Sequence, residues 1–155
     1  MNRCLFLLWL LLAAFSTEAQ QQQCFPANQL WRYGTSMEKL NTHYPSLLEK
    51  MENLGEDSLR IQQFNFAANA WFSQLATYLK DNGVKLSEKD PMLFRIYVNK
   101  NNQVQYLLYH KTTKWKKGGR MQSQLHQHAE AFMRLNPANF GYTGPWRHSI
   151  RLKVE

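Results

Sequence analysis

The stretch "LFRIYVNKNNQVQYLLYHK", residues 93–111, holds two runs of β-branched and aromatic residues on either side of a polar tip. Two such runs around a short loop are typical of a β-hairpin. A two-residue turn at Asn101 and Asn102 would place Val98 opposite Gln105, and the apolar residues of the two strands would then face opposite sides of the sheet. The length of the loop therefore decides which side chains are buried.

A loop of three residues, 100–102, gives the hairpin one apolar face instead. Val98 then pairs with Val104, and Asn102 takes the left-handed position that such loops need and that asparagine tolerates. The apolar residues expected on this face are Phe94, Ile96, Val98, Val104, Tyr106 and Leu108. The other face is mixed in character, which leaves room for a second contact.

Helices precede the hairpin. Apolar residues at three- and four-residue spacing predict an amphipathic helix that begins after Ser36 and ends before Gly55. Pro45 lies inside this pattern, so we expect a kink or two short helices, the second starting near Pro45. A stronger pattern of the same period runs from residue 57 or 58 to the turn at 81–83, and it predicts the main covering helix.

The chain after the hairpin predicts a third helix and a last strand. The helix ends at Asn136, before Pro137, and "WRHSIRLKVE", residues 146–155, alternates apolar and polar residues as a half-buried strand does. The expected fold class is α+β, with N-terminal helices followed by strand, strand, helix and strand. The three strands are expected to form an antiparallel sheet of order 2-1-3, covered by helices on one face.

Residues 1–20 combine a basic start, an apolar run and a polar end with small residues, which is the layout of a secretory signal peptide. The apolar run is shorter than the roughly 20 residues that span a bilayer, which disfavours a membrane anchor. We expect cleavage near Ala19 and Gln20 and a secreted or periplasmic protein. An N-terminal extension over 21–36 would then precede a single domain over 37–155.

Positive charge is concentrated in the second half of the chain. The 155 residues carry a net charge of +8, and residues 92–155 hold eleven basic residues against two acidic ones. An anionic partner is therefore expected to meet this half. If cleavage removes Cys4, Cys24 has no partner within the chain, which leaves a free thiol or a link between two chains open.

Residues 84–155 contain the strand-turn-strand "LFRIYVNKNNQVQYLLYH", the helix with "AEAFMRLNPA" and the closing strand "GPWRHSIRLKVE". In these features the segment resembles the C-terminal domain of the TonB energy-transducer family. The resemblance implies a small exported domain whose edge strand accepts a peptide strand, as the family does with segments of receptors. We find neither a Pro-rich linker nor a transmembrane anchor, so protein binding is expected rather than energy transduction.

The last strand is the predicted binding site. Its outer row consists of Arg147, Ser149, Arg151 and Lys153. Cations on an edge strand discourage uncontrolled pairing and still permit an acidic or polar peptide to add as a further strand. The expected partner is an envelope protein or one of its peptide segments. An edge that is merely protected by its charge is the alternative.

The loop after the hairpin is a second candidate site, because it surrounds an indole with cations. Its residues are Lys111, Lys114, Trp115, Lys116, Lys117 and Arg120. This composition suits an anionic lipid or glycan surface, which makes a surface-binding module one alternative function. A loop kept soluble by its lysines is the other interpretation. Export argues against a nucleic-acid partner.

The sequence shows no arrangement typical of catalysis, such as a nucleophile elbow, paired carboxylates or a phosphate loop. His126 and Glu130 lie four residues apart on one helical face, so a small exported hydrolase is a further alternative. His126 and His128 lie on different sides of the same helix, which disfavours a metal site. We expect a non-enzymatic domain without a cofactor.

Overall fold

The computed structural model describes residues 22–85, 92–110 and 119–152. The predicted signal peptide over 1–20 lies outside these residues. In chain order the elements are β1 (Gln23–Pro26), a 3₁₀ helix (Ala27–Tyr33), α1 (Met37–His43), α2 (Leu47–Asn53), α3 (Ser58–Asp81), β2 (Met92–Val98), β3 (Val104–His110), α4 (Arg120–Leu135) and β4 (Trp146–Leu152). Among the described helices, none combines the length and the apolar character needed to cross a membrane.

The helix boundaries follow from local capping. The Ser36 hydroxyl accepts a hydrogen bond from the Lys39 amide at the start of α1, and Ser46 does the same for Glu49 at the start of α2. Pro45 lies between these two short helices. The Asp57 carboxylate accepts from the Arg60 amide and starts α3. The predicted break near Pro45 and the predicted start of the long helix are both confirmed.

The sheet has four strands in the order β1-β3-β2-β4 and is mixed. β2 pairs antiparallel with β3 and with β4, but β1 pairs parallel with β3, with Gln23 opposite Tyr106. The predicted three-stranded antiparallel sheet of order 2-1-3 is therefore wrong. The prediction missed β1 because a strand of four residues, QCFP, is too short to show an alternating pattern.

Both faces of the sheet are covered, so the prediction of helices on one face is also wrong. The main core lies between the sheet and α3 and α4, where Phe72, Leu75 and Leu125 are fully buried. A second cluster fills the other face beneath the 3₁₀ helix and α1. Its buried residues are Phe25, Leu30, Leu40, Tyr44, Tyr97 and Leu108. Among the described residues, this second cluster does not extend to the far end of the hairpin, and part of the face is left open there.

The hairpin closes through the predicted three-residue loop. Asn102 has φ +59°, and its amide donates to the Asn99 carbonyl oxygen at 3.0 Å. Val98 lies opposite Val104, as predicted. The register then shifts by one residue at a bulge, so that Tyr97 lies opposite Tyr106.

The bulge overturns part of the predicted apolar face. Tyr106 and Leu108 pack in the second cluster, whereas Leu107 lies in the main core. Gln105, the extra residue, is buried, and its Oε1 accepts from the Tyr44 hydroxyl at 2.5 Å. Its amide nitrogen donates to the Tyr106 hydroxyl at 3.2 Å. The strand pairing therefore contains a bulge with a hydrogen-bonded glutamine beneath α1, and not the straight register that the alternation predicted.

The connection from α4 to β4 packs on the hairpin tip. The Ala138 amide donates to the Asn102 carbonyl oxygen at 2.9 Å. Gly144 lies against the backbone of Val98 and Asn99, and Trp146 begins β4 fully buried. These contacts hold β4 beside β2 and determine where the candidate edge lies.

Candidate binding edge

Of the residues that the structure describes, only the segment around Pro45 pairs with the outer edge of β4, at Arg147. The Arg147 amide donates to the Pro45 carbonyl oxygen at 3.0 Å, so it points away from β2. In an antiparallel strand the amides of alternate residues point to the same side. The Ser149 and Arg151 amides therefore also point away from β2, beyond the segment that covers Arg147. The structure thus brings three of the four predicted edge residues into one row, while Lys153 lies outside the described residues.

The opposite edge of the sheet is closed. The Cys24 amide on β1 donates to Glu130 Oε1 of α4 at 3.0 Å, and Pro26 has no N–H to offer. α4 also packs alongside β1, where the Gln22 side chain donates to the Met133 carbonyl oxygen at 3.2 Å. Within the described parts of the chain, β4 is consequently the edge better suited to accept another strand.

Cys24 is a buried, free cysteine. Burial, and then the neighbouring Glu130 carboxylate, raise the pKa of its thiol well above the ordinary value. Because the thiolate is the reactive form of cysteine, this thiol is unreactive in the folded protein. A disulfide between two chains through Cys24 would require β1 to leave the sheet.

Arg147 has a structural role in the fold. Its Nη1 donates to the carbonyl oxygens of Asn41, at 3.1 Å, and Tyr44, at 2.6 Å. These carbonyls belong to the end of α1, where backbone acceptors lack partners within the helix and a cation also meets the negative end of the helix dipole. Arg147 therefore ties β4 to α1, and its guanidinium is less available to a partner than the sequence suggested.

Replacing Arg147 with methionine is expected to lower the free energy of unfolding by about 1–3 kcal/mol, since two carbonyl oxygens lose a charged donor. Arg151→Met is the matched control. The Arg151 side chain is exposed and lies on the same strand, so its loss is expected to cost less than about 0.5 kcal/mol. Urea denaturation of both variants measures the difference, and equal costs would contradict the capping role of Arg147.

Arg95 on β2 is a neighbour of this edge that the sequence did not single out. It lies opposite Ser149, and its Nε donates to Ser149 Oγ at 2.7 Å. The guanidinium of Arg95 therefore reaches from the second strand towards the outer row. Only the position of Arg95 in the alternation of β2 hinted at this contact, because the pairing partner of β2 is set by the tertiary fold.

Five residues of the predicted basic surface lie outside the described residues: Lys111, Lys114, Trp115, Lys116 and Lys117. Arg120, the remaining residue of that predicted surface, is exposed at the start of α4. An anionic lipid or glycan partner for this loop stays a prediction.

His126 and Glu130, the pair considered for catalysis, bind different neighbours. His126 Nε2 lies 2.8 Å from the Tyr109 hydroxyl, whereas the Glu130 carboxylate accepts from the Cys24 amide. Burial lowers the pKa of His126 and raises that of Tyr109, so both groups are neutral near pH 7. Among the described residues, no three side chains of histidine, cysteine, aspartate or glutamate are grouped as metal ligands would be.

Comparisons with protein-family models, with curated proteins and with solved structures found no match to this chain. The likeness of residues 84–155 to the TonB C-terminal domain therefore stays a prediction from the sequence.

Proposed function

We propose that the protein is an exported, non-enzymatic binding domain that accepts an extended segment of another protein along the outer edge of β4. The proposal includes a TonB C-terminal-like mode of strand addition without energy transduction. The layout of residues 1–20 supports export, which would place the domain in the periplasm or outside the cell. No nucleic-acid partner and no cofactor are part of the proposal.

The observation that carries the proposal is the direction of the Ser149 and Arg151 amides. They point away from β2, in line with the Arg147 amide, which already bonds the Pro45 carbonyl. The contact between Ser46 and Arg147 has the geometry of a parallel bridge. A partner segment would continue this pairing along β4 with main-chain hydrogen bonds.

The charge around β4 favours an acidic partner segment. Arg95 lies opposite the exposed Ser149 on β2, and Arg147 and Arg151 lie two residues before and after Ser149 on β4. In the described part of the chain, no carboxylate forms an ion pair with Arg95 or Arg151. Their charge is therefore available to attract carboxylates of a partner, with an on-rate that falls as salt rises, whereas the Arg147 guanidinium is already bonded to the end of α1.

The proposal can be tested by removing one backbone N–H that points outward from β4. Arg151→Pro deletes an N–H that β2 does not use, and proline is tolerated on an edge strand when its nitrogen faces solvent. Envelope proteins captured by the wild-type domain are expected to be lost from the Arg151→Pro variant. A proline at Ile150 would be a poor test, since that amide faces β2 and its loss would break the β2–β4 pairing.

Arg151→Ala is the matched control, because it removes the same cation and keeps the amide. It is expected to capture the same proteins more weakly, and His126→Ala is expected to leave capture unchanged. If Arg151→Pro and Arg151→Ala behave alike, the partner binds side chains and the strand-addition proposal fails. Loss of capture on His126→Ala would instead favour a site around the Tyr109 contact.

A further inference from the structure

The open part of the second sheet face contains a groove of about 190 Å³. Its apolar walls come from Ala27, Met37, Leu93 and Leu108, and the polar groups that line it include Arg95 and His110. Cross-strand pairing explains this composition, because Leu93 lies opposite His110 and Arg95 lies opposite Leu108. The groove is thus a half-open apolar site with a guanidinium at its wall.

Arg95 is held in place at the groove. Its Nε donates to Ser149 Oγ at 2.7 Å, and its Nη1 donates to Met37 Sδ at 3.2 Å. Burial raises the pKa of the Tyr97 hydroxyl, and the charges of Arg95 and Arg147 oppose this rise. Because its side chain is already ordered, Arg95 would lose little conformational freedom on meeting a ligand.

Among the residues that the structure describes, no carboxylate forms an ion pair with the Arg95 guanidinium. A thioether is a weak acceptor and a hydroxyl is uncharged, so neither replaces the bidentate carboxylate that a guanidinium fits best. The charge of Arg95 and the apolar walls therefore favour a ligand that has a carboxylate beside an apolar group.

We propose that this groove binds the C-terminal residue of a peptide or protein, with its α-carboxylate on Arg95 and an apolar side chain of leucine size in the groove. The volume supports this size, since a cavity of roughly 150 Å³ holds one benzene molecule. A single terminal residue carries both groups on one Cα. An internal acidic residue would need its apolar neighbour on the same face of the strand, two residues or roughly 7 Å away.

The positive charges near the groove also favour the last residue of a chain over a free amino acid. Arg95, Arg151 and Arg147 repel an ammonium group, whereas the peptide nitrogen of a terminal residue is neutral. The site is separate from the outward amides of β4, so this inference stands whether or not the protein binds by strand addition.

N-acetyl-leucine is the probe, because it reproduces the last residue of a chain with its free carboxylate. Titration into the ¹⁵N-labelled protein is expected to shift the amide signals of Leu93, Arg95 and Leu108 in a saturable way. N-acetyl-leucinamide lacks the carboxylate and is expected to bind at least about tenfold more weakly. Free leucine is also expected to bind more weakly than N-acetyl-leucine.

Two variants address the two halves of the site. Arg95→Met keeps an apolar stem and removes the charge, and it is expected to weaken N-acetyl-leucine binding about tenfold or more. Ala27→Leu fills the groove without touching Arg95 and is expected to abolish binding. Arg134→Met removes an exposed cation of α4, a helix that packs on the other face of the sheet, and is the control that is expected to change affinity less than threefold. The dispersion of the amide spectrum shows whether each variant is folded.

Three results would overturn the proposal. Equal affinity for N-acetyl-leucine and N-acetyl-leucinamide would show that the protein does not recognise the carboxylate. Unchanged affinity of the folded Ala27→Leu variant for N-acetyl-leucine would show that the ligand does not bind in the groove. Affinity that keeps rising with the chain length of alkyl carboxylates, up to decanoate, would assign the site to a lipid. Failure of Arg151→Pro to affect partner capture would leave the groove proposal untouched, so the two tests are independent.

Discussion

Replacing Gly144 with alanine is expected to lower the free energy of unfolding by about 3 kcal/mol or more. A Cβ at this position would lie 2.2 Å from the Asn99 carbonyl oxygen and 2.7 Å from that of Val98. Both are backbone atoms at the end of the hairpin, where β2 also pairs with β4 through Val98 and Trp146. The methyl group would push β4 away from β2, and urea denaturation followed by tryptophan fluorescence measures the cost.

Gly141→Ala is the control in the same connection. Gly141 has φ +82°, but nothing lies within 4 Å of the position of its Cβ. Its replacement costs only the left-handed backbone strain, about 1–2 kcal/mol. If Gly144→Ala were no more destabilising than Gly141→Ala, the connection would be loose at Gly144, and β4 would owe its position to the sheet pairing alone.

Lowering the pH from 7 to 4 is expected to destabilise the fold through His148. Its ring packs edge-on against Phe64 of α3, with 4.9 Å between the ring centroids. Burial lowers the pKa of His148 from 6.5 to about 4. Between these two pH values His148 is protonated in the unfolded chain but not in the folded chain. The contribution of His148 to stability is therefore fully present above pH 6.5 and is lost as the pH falls towards 4. The loss amounts to about 3 kcal/mol.

His148→Phe removes this titrating group and keeps an aromatic ring beside Phe64. Its unfolding free energy is expected to fall less steeply between pH 6.5 and pH 4 than that of the wild type, in urea titrations at half-unit steps. His126 contributes in the same direction, because burial lowers its pKa as well. Parallel curves for wild type and His148→Phe would show that His148 does not control the acid response.

Interactions between residues close in sequence were predicted well. Ser36 and Asp57 accept hydrogen bonds from amides three residues ahead of them, so their helix starts can be recognised locally. Asn102 adopts its left-handed backbone within a loop of three residues, and Val98 lies opposite Val104 as the loop length required. In each case the deciding atoms lie within a few residues of each other.

The sheet was predicted poorly because its edges depend on distant residues. β1 pairs with β3 across about eighty residues of chain, and its sequence has no alternating pattern. The bulge at Gln105 depends on Tyr44, which lies 61 residues earlier and donates its hydroxyl to the glutamine. A straight hairpin satisfied every pattern visible in residues 93–110, so nothing local argued for the shift.

The arrangement of the residues around the candidate edge was predicted in part. Alternation placed Arg147, Ser149 and Arg151 in one row, and the pairing with β2 puts them there. The engagement of Arg147 with the end of α1, the reach of Arg95 to Ser149 and the groove beside Met37 were all missed. Each of these joins elements separated by more than fifty residues.

The sequence by itself determined where helices begin, how the hairpin turns and which residues of the last strand share a row, because capping, loop geometry and alternation act over a few residues. Only the tertiary structure decided that β1 joins the sheet, that Gln105 forms a bulge and that Arg95 lies beside Ser149. These features result from side chains that compete for burial and hydrogen bonds across the whole fold. A pattern within one segment carries no information about distant competitors.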